Sequence, residues 1–350
     1  MANEVECRLV ASLPDSGATP VDAGASRRPA LPATIEKVQT DVTISMIREA
    51  AVRIRPIARR TPVLTSRSFD SASGVRTFFK CENLQTGGAF KIRGASNLVF
   101  SLDKPKAVVA YSSGNHAQAT ALAARHVGAA CTIVMPADAP RSKLEATRGY
   151  GAKIVTYDRA HENREEITAG IIEKTGATLI PPFDHPLIVA GQGTAALELL
   201  EDVPEFGALI APVGGGGLLS GSAIAARSSR PARVFGAEPE RANDTYLSFR
   251  AGRRVEAANN DTIADGLRSP IPGVLTFSIV RELVEDILLV TEDEIRATMK
   301  FLLTRMKILV EPSGAVSAAA VLHGKLPKGI ASVGVILSGG NVDFDTLARL

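Results

Sequence analysis

The sequence predicts an α/β protein built from two open parallel-sheet domains. From about Thr43 onward, short apolar, β-rich runs alternate with helix-length segments, the pattern of parallel strands covered by helices on both faces. Several of these runs pass directly into clusters of Ser, Gly or Asn. In open α/β sheets such loops, beyond the carboxyl ends of strands, are where ligands bind. The chain of 350 residues is long enough for one large domain or two modest ones sharing an interface.

Strands are expected at Ala107–Tyr111, 132–135, Lys153–Tyr157, 208–213, 233–237 and 333–337. Helices are expected over 116–127, 141–150, 162–175 and 193–200. No fixed-period repeat runs through the chain. Residues 107–177 form the expected small, mobile domain, and residues 41–106 together with 178–350 the large one. Residues 1–40, with Pro14, Gly17, Pro20, Pro29 and Pro32 and no apolar period, read as a disordered or loosely attached tail. Glu4 and Glu6 stand where a secretory signal would be basic.

Composition narrows the function classes. The formal net charge is +3 and no long basic block or aromatic-basic interleaving occurs, which argues against a nucleic-acid partner. No apolar run approaches the roughly 20 residues of a membrane helix. Cys7, Cys81 and Cys131 are odd in number and widely spaced, neither a disulfide framework nor a zinc pattern. A reducing cytoplasm is the expected setting, with Cys81 and Cys131 packed as small apolar residues.

Two motifs carry chemistry. Gly214, Gly215, Gly216 and Gly217 stand between a strand and the helix opening at Leu218. Successive backbone N–H groups can there approach an anion, and a helix N-terminus adds partial positive charge. A tight strand-to-helix turn is the bland alternative. A dinucleotide fingerprint would need glycine at 220, where Ser220 stands, and a P-loop would need Gly-Lys-Ser or Gly-Lys-Thr. A monophosphate fits better. The second motif is Gly87-Gly88-Ala89-Phe90-Lys91-Ile92-Arg93-Gly94. An isolated lysine is usually a solvated charge, but one set among apolar neighbours can be desolvated, which frees its amine for imine chemistry.

Phe-Lys-Ile-Arg-Gly-Ala at Lys91, Ser-Ser-Gly-Asn-His at 112–116, Gly-Gly-Gly-Gly-Leu at 214–218 and Ser-Gly-Gly-Asn at 338–341 occur in that order. In this the chain resembles the fold-type II (tryptophan synthase β-like) enzymes of pyridoxal 5′-phosphate (PLP). Within them it is similar to the family of serine racemase, threonine/serine dehydratase and threo-3-hydroxyaspartate ammonia-lyase. The likeness runs from about Thr43 to the C-terminus. It implies that Lys91 carries the cofactor as a Schiff base and moves protons at the substrate Cα. Phe90 would pack beside the ring, Asn115 reach its hydroxyl, Ser338 bond the pyridine nitrogen, and Gly214 to Leu218 cradle the phosphate. Ser112, Ser113, Gly114, Asn115 and His116 would hold the substrate carboxylate. Ser113 matches the serine that acts on the opposite face of Cα in the racemases. Ala117 and Ala89 depart from the glycine and serine frequent among relatives, with small residues in both cases.

The resemblance also carries a divalent-cation site, Mg²⁺ or Ca²⁺, onto Glu238, the Ala242 carbonyl and Asp244; oxygen ligands in a turn suit a hard cation. An acidic surface turn is the alternative. Arg164 matches a substrate-side arginine, and Ser269 is expected to border the pocket. Arg164 or Arg268 could receive a second substrate carboxylate. Glu311 is expected either by the cofactor ring or capping the next helix. A homodimer is implied. The expected activity is a 3-hydroxy amino acid ammonia-lyase acting on threo-3-hydroxyaspartate, threonine or serine. A racemase and a non-catalytic PLP-binding protein are the alternatives.

Overall fold

The computed structural model describes residues 42–139, 141–229 and 232–350. The tail expected over residues 1–40, with Cys7, lies outside them. Among the described residues ten strands form two sheets. They are β1 (Val63–Leu64), β2 (Arg76–Cys81), β3 (Ala107–Tyr111), β4 (Ala130–Pro136), β5 (Lys153–Tyr157), β6 (Thr178–Leu179), β7 (Ala208–Pro212), β8 (Arg233–Pro239), β9 (Asp286–Val290) and β10 (Ser332–Leu337). The larger sheet has the order β1-β2-β10-β7-β8-β9, and the smaller β5-β4-β3-β6. Every pairing is parallel except the short β1–β2 edge.

Side-chain alternation builds a core on each face of each sheet. In β7, Leu209 and Ala211 join one cluster of the larger sheet, and Ala208 and Ile210 the other. In β3, Val108 and Ala110 face one side of the smaller sheet, and Val109 the other. Both faces are buried, as helix-covered parallel sheets require. Among the described residues no helix is long and apolar enough to cross a membrane.

Two boundaries differ from the sequence reading. The smaller sheet closes with β6, which pairs with β3 just past residue 177. The helix Lys91–Ser101, expected in the larger domain, buries Ile92, Ala95, Leu98 and Val99 in the core of the smaller sheet. It also packs on the helix Pro186–Asp202, with Gly94 and Gly191 in close approach: a Cβ on Gly191 would lie 2.6 Å from the Gly94 Cα. Lys91 thus opens a helix wedged between the two sheets.

That helix is anchored by a buried ion network. Arg93 is fully buried and donates to both oxygens of Glu82 and both of Glu198, and to the Arg59 carbonyl and the Thr194 hydroxyl. Lys80, also fully buried, reaches Glu198 at 2.6 Å and the Thr61 carbonyl at 2.7 Å. The carboxyl of Glu82, although desolvated, is held below its ordinary range by the Arg93 charge and hydrogen bonds. Removing Glu82 leaves two buried cations, Arg93 and Lys80, sharing the single carboxylate of Glu198. We predict that Glu82→Ala lowers stability by about 3–5 kcal/mol, measured by urea unfolding. A loss below about 1 kcal/mol, the scale of an exposed pair, would contradict it.

Candidate active site

Loops after β3, β7 and β10, the start of the Lys91 helix and the segment 265–271 close around one cavity of about 480 Å³. Phe90, Lys91, Ser112, Ser113, Gly114, Asn115, His116, Arg164, all four glycines from Gly214 to Gly217, Leu218, Ser269 and Ser338 line it. Segments nearly 250 residues apart are brought together because parallel strands deliver their carboxyl ends to the same edge.

The Lys91 amine donates to the Pro182 carbonyl at 2.7 Å and lies 5.2 Å from the Phe90 ring centroid. Burial pulls its pKa down to about 8. His116, one helix away, is buried and neutral: burial, then the nearby Lys91 charge, push its pKa down to about 3. Its Nε2 bonds the Ile180 carbonyl at 2.8 Å. A carbonyl only accepts, so Nε2 carries the proton and Nδ1 the lone pair.

The glycine turn is shaped by what surrounds it. A Cβ on Gly215 would overlap the Phe183 ring, and one on Gly216 would lie 2.8 Å from the Thr276 Cβ. Gly216 also has φ +95°, a conformation that favours glycine. The carbonyls are turned outward: Gly214 accepts from the Thr245 hydroxyl, Gly215 from the Thr276 hydroxyl, and Gly216 from the Ser220 N–H. The opposite ends of these peptides present N–H groups at the start of the helix Gly217–Ser229, an anion cradle. No side chain occupies it, and a phosphate monoester suits it.

Ser338 is almost fully buried, and its hydroxyl makes only a 3.5 Å contact to the Ser313 carbonyl, at the edge of hydrogen bonding. It can therefore serve an acceptor or donor placed in the cavity. Its own carbonyl accepts from the Phe90 N–H at 3.0 Å, which ties the lysine motif to β10. Asn115 donates to Glu311 Oε1 at 2.6 Å and accepts from Asn341 Nδ2 at 2.8 Å. One amide hydrogen of Asn115 remains for a ligand. Glu311 lines the cavity and stands at the cap position of the helix Pro312–Leu322, where its side chain makes no cap bond. Burial, then the charge of Asp265, raises its pKa to about 8.

At the opposite end, residues 112–114 lead into the helix Asn115–Val127. Its N-terminus and the Ser112 and Ser113 hydroxyls form a second anion site. The Arg164 guanidinium stacks over Tyr111 at 4.9 Å and donates to Glu165 at 2.9 Å. Ser269 lines the cavity, but its hydroxyl is bonded to the Ile271 carbonyl. Arg268 is engaged by the Thr262 carbonyl. Lys143, from the helix Arg141–Gly149 beside the smaller sheet, pairs with Asp265 of the larger-sheet side across the rim. Sequence reading passed over Lys143, Asp265, Asn341 and the segment from Pro181 to Asp184. Of these, Asn341 closes the Ser-Gly-Gly-Asn motif, and Pro181-Pro182 after an apolar run signals a turn.

Glu238, Ala242 and Asp244 lie outside the cavity lining, behind the glycine turn. Glu238 and Asp244 are fully buried. Both Asp244 oxygens lack a protein hydrogen-bond partner, and Glu238 accepts only backbone N–H groups, from Thr245 and Tyr246. Burial and mutual repulsion raise the Glu238 pKa well above its ordinary value, and burial raises that of Asp244 to about 7. Two desolvated carboxyls, one of them with both oxygens unpartnered, fit a hard divalent cation. Next to them, Thr245 holds the Gly214 carbonyl.

A buried amine of lowered pKa, a backbone phosphate cradle and a neutral hydroxyl facing one cavity define an enzyme of the PLP type on the fold-type II scaffold. The model of the pyridoxal-phosphate dependent enzyme family matches residues 54–339, and the chain belongs to that family. It is 49% identical over 312 residues to the L-threo-3-hydroxyaspartate ammonia-lyase of Saccharomyces cerevisiae, covering 88% of this chain and 96% of that protein. It is 47% identical to the serine racemase of Schizosaccharomyces pombe, covering 88% and 96%. The crystal structure of serine racemase from Dictyostelium discoideum superposes with a TM-score of 0.82 at 48% identity, covering 87% of this chain and 99% of that one.

Only a neutral amine attacks an aldehyde, so the lowered pKa of Lys91 sets a pH dependence. Capture of pyridoxal by cofactor-free protein, trapped with borohydride, should rise with pH to a midpoint near 8 rather than the 10.5 of an unburied lysine. A midpoint above about 10, the range of a solvated lysine, would show that the amine is not desolvated.

Proposed function

We propose that this chain is a PLP-dependent ammonia-lyase that converts a 3-hydroxy L-amino acid to a 2-oxo acid and ammonia, with threo-3-hydroxyaspartate, threonine and serine as the substrate class. The observation that carries the reading is the meeting of the Lys91 amine, the glycine cradle and the Ser338 hydroxyl in one cavity. When bound, PLP supplies an electron sink for the bond broken at Cα. Lys91 would hold the cofactor and move the Cα proton. Ser112, Ser113 and the N–H groups that open the Asn115–Val127 helix would receive the substrate carboxylate. Phe90 would pack beside the ring, Asn115 would offer its remaining amide hydrogen to the ring hydroxyl, and Ser338 would bond the pyridine nitrogen. A serine there, unlike a carboxylate, does not hold a proton on that nitrogen. Charge at Cα is then less fully delocalised, and early loss of the β-hydroxyl is favoured over transamination.

Arg164 points to a substrate with a second carboxylate, and the similarity to a hydroxyaspartate ammonia-lyase supports that choice. The Lys143–Asp265 pair joins the two sheet regions across the cavity rim and supports closure of a mobile smaller domain on substrate. We place a divalent cation on Glu238, the Ala242 carbonyl and Asp244, where it would brace the turn beneath the cradle, and we expect a homodimer. The free, buried Cys81 and Cys131, whose thiols burial pushes up to about 12, support a cytoplasmic setting.

A second reading is racemisation. Ser113 lines the same cavity as Lys91, and serine racemases are among the similar proteins. A panel of threonine, serine and the hydroxyaspartate diastereomers, assayed for ammonia and 2-oxo acid, tests the main reading. Release of neither product from any of them would refute it. Chiral chromatography of recovered serine and aspartate tests the second. Ser113→Ala should abolish racemisation while retaining part of the elimination; equal loss of both would leave Ser113 a carboxylate-binding role alone. Removal of divalent cations with a chelator should lower the melting temperature, and Asp244→Asn should erase the difference. Identical melting curves with and without Mg²⁺ would dismiss the cation.

A further inference from the structure

The segment between β6 and the helix Pro186–Asp202 touches the candidate site three times. The Pro182 carbonyl accepts from the Lys91 amine at 2.7 Å. The Phe183 ring fills the space that a side chain on Gly215 would need, and a Cβ on Gly217 would lie 3.2 Å from the Phe183 Cβ. Asp184, which also lines the cavity, reaches the helix Val274–Leu283, where Oδ2 accepts from the Val274 N–H at 2.9 Å and Oδ1 from the Thr276 N–H at 3.0 Å. That helix has Gly273 at its cap position and no side-chain cap of its own. Its first turn needs an acceptor, and Asp184 supplies it from 90 residues upstream. A Cβ at position 273 would overlap Asp184 Oδ1, so the glycine makes room for this borrowed cap.

Capped in this way, the first turn holds the glycine loop. The Thr276 hydroxyl donates to the Gly215 carbonyl at 2.6 Å, and the Gly273 N–H donates to the same oxygen at 3.4 Å. Thr276 is itself fully buried, and its carbonyl accepts from the Ser220 hydroxyl at 3.0 Å. A trans peptide is planar, with C=O and N–H opposed. Holding the Gly215 carbonyl outward therefore aims the Gly216 N–H to the cavity side, where a phosphate would sit.

We propose that Asp184 and Thr276 are positioning residues for the cofactor phosphate, acting through the Gly215–Gly216 peptide without touching the phosphate. The proposal rests on PLP as the resident cofactor. It separates them from residues that merely stabilise the fold, because their effect must fall on the phosphate and not on the pyridine ring. Pyridoxal, which lacks the phosphate, is the discriminating probe.

Thr276→Val keeps the shape and removes the hydroxyl. The full-length variant, resolved of cofactor and titrated with PLP, should bind it about five- to tenfold more weakly, the net worth of one oriented hydrogen bond. Its affinity for pyridoxal and its melting temperature without cofactor should match the wild type. Thr276→Ser should restore PLP affinity, and Asp184→Asn should reproduce the valine phenotype. In the loaded proteins, the ³¹P resonance of the bound cofactor should shift in Thr276→Val and return in Thr276→Ser. Equal weakening of PLP and pyridoxal would reduce both residues to scaffold, and unchanged PLP affinity in Thr276→Val would equally overturn the proposal. Failure of the wild type to discriminate PLP from pyridoxal would instead refute the phosphate cradle itself.

Discussion

A partly buried lysine amine whose one hydrogen-bond partner is a neutral carbonyl is the constraint on which the rest of this structure depends. Burial costs the charged form of Lys91 and lowers its pKa to about 8, with only the Pro182 carbonyl as partner. Such a group does not hold its place by attraction, so the backbone must hold it. The Phe90 N–H is bonded to the Ser338 carbonyl just before Lys91, and Arg93 is locked into Glu82 and Glu198 just after it. The strong, fully paired ions lie two residues from the amine and on the far side of the helix turn. Stability and reactivity are thereby separated: the network that fixes the helix supplies no negative charge that would keep the amine protonated.

The same separation governs the cradle. The four glycines serve packing and chemistry together. Phe183 and Thr276 press on the outside of the turn, where a Cβ would collide, and the N–H groups are left facing inward. Hydroxyls of Thr245 and Thr276 and the N–H of Ser220 take up the carbonyls, so each peptide has one end satisfied by protein and the other free for an anion. The buried pair Glu238 and Asp244 lies behind this arrangement and connects to it through Thr245. A cation there would neutralise charge close beneath the turn without entering the cavity.

Much of this was legible in the sequence because the signals were local. Strands β3 and β5 were delimited to the residue, and the polar loops after β3, β7 and β10 were assigned to one site, where the structure brings them together. Strand β2 was not read. Its Lys80 breaks the apolar run, and only the tertiary partners Glu198 and Thr61 make a buried lysine tolerable in a strand. The helix opening at Lys91 was placed with the larger sheet alone, although it packs between both, for a similar reason: its apolar residues show that it is buried, not against what. Asn341 closes a motif that sequence reading used only for Ser338. Its amide bonds the Gly87 carbonyl and orients Asn115, so it joins three distant segments. Asp184 and Thr276 belong to no motif, since capping a helix from 90 residues away leaves no trace in local spacing.

The charges at the substrate end bear on which amino acid the proposed lyase prefers. Three cationic side chains reach the cavity there, Lys143, Arg164 and Arg268, and each already has a partner. Arg268 bonds the Thr262 carbonyl and lies 3.7 Å from Asp261. Lys143 is committed to Asp265 across the rim. Arg164 has one bonded carboxylate, Glu165, its neighbour in sequence and half-exposed, and stacks on the Tyr111 face. An exposed pair between adjacent residues contributes little, whereas a carboxylate brought into a closed cavity meets Arg164 with less competition from water. On the proposed lyase reading, an Arg164 that exchanged Glu165 for a substrate carboxylate would favour a substrate with two carboxylates.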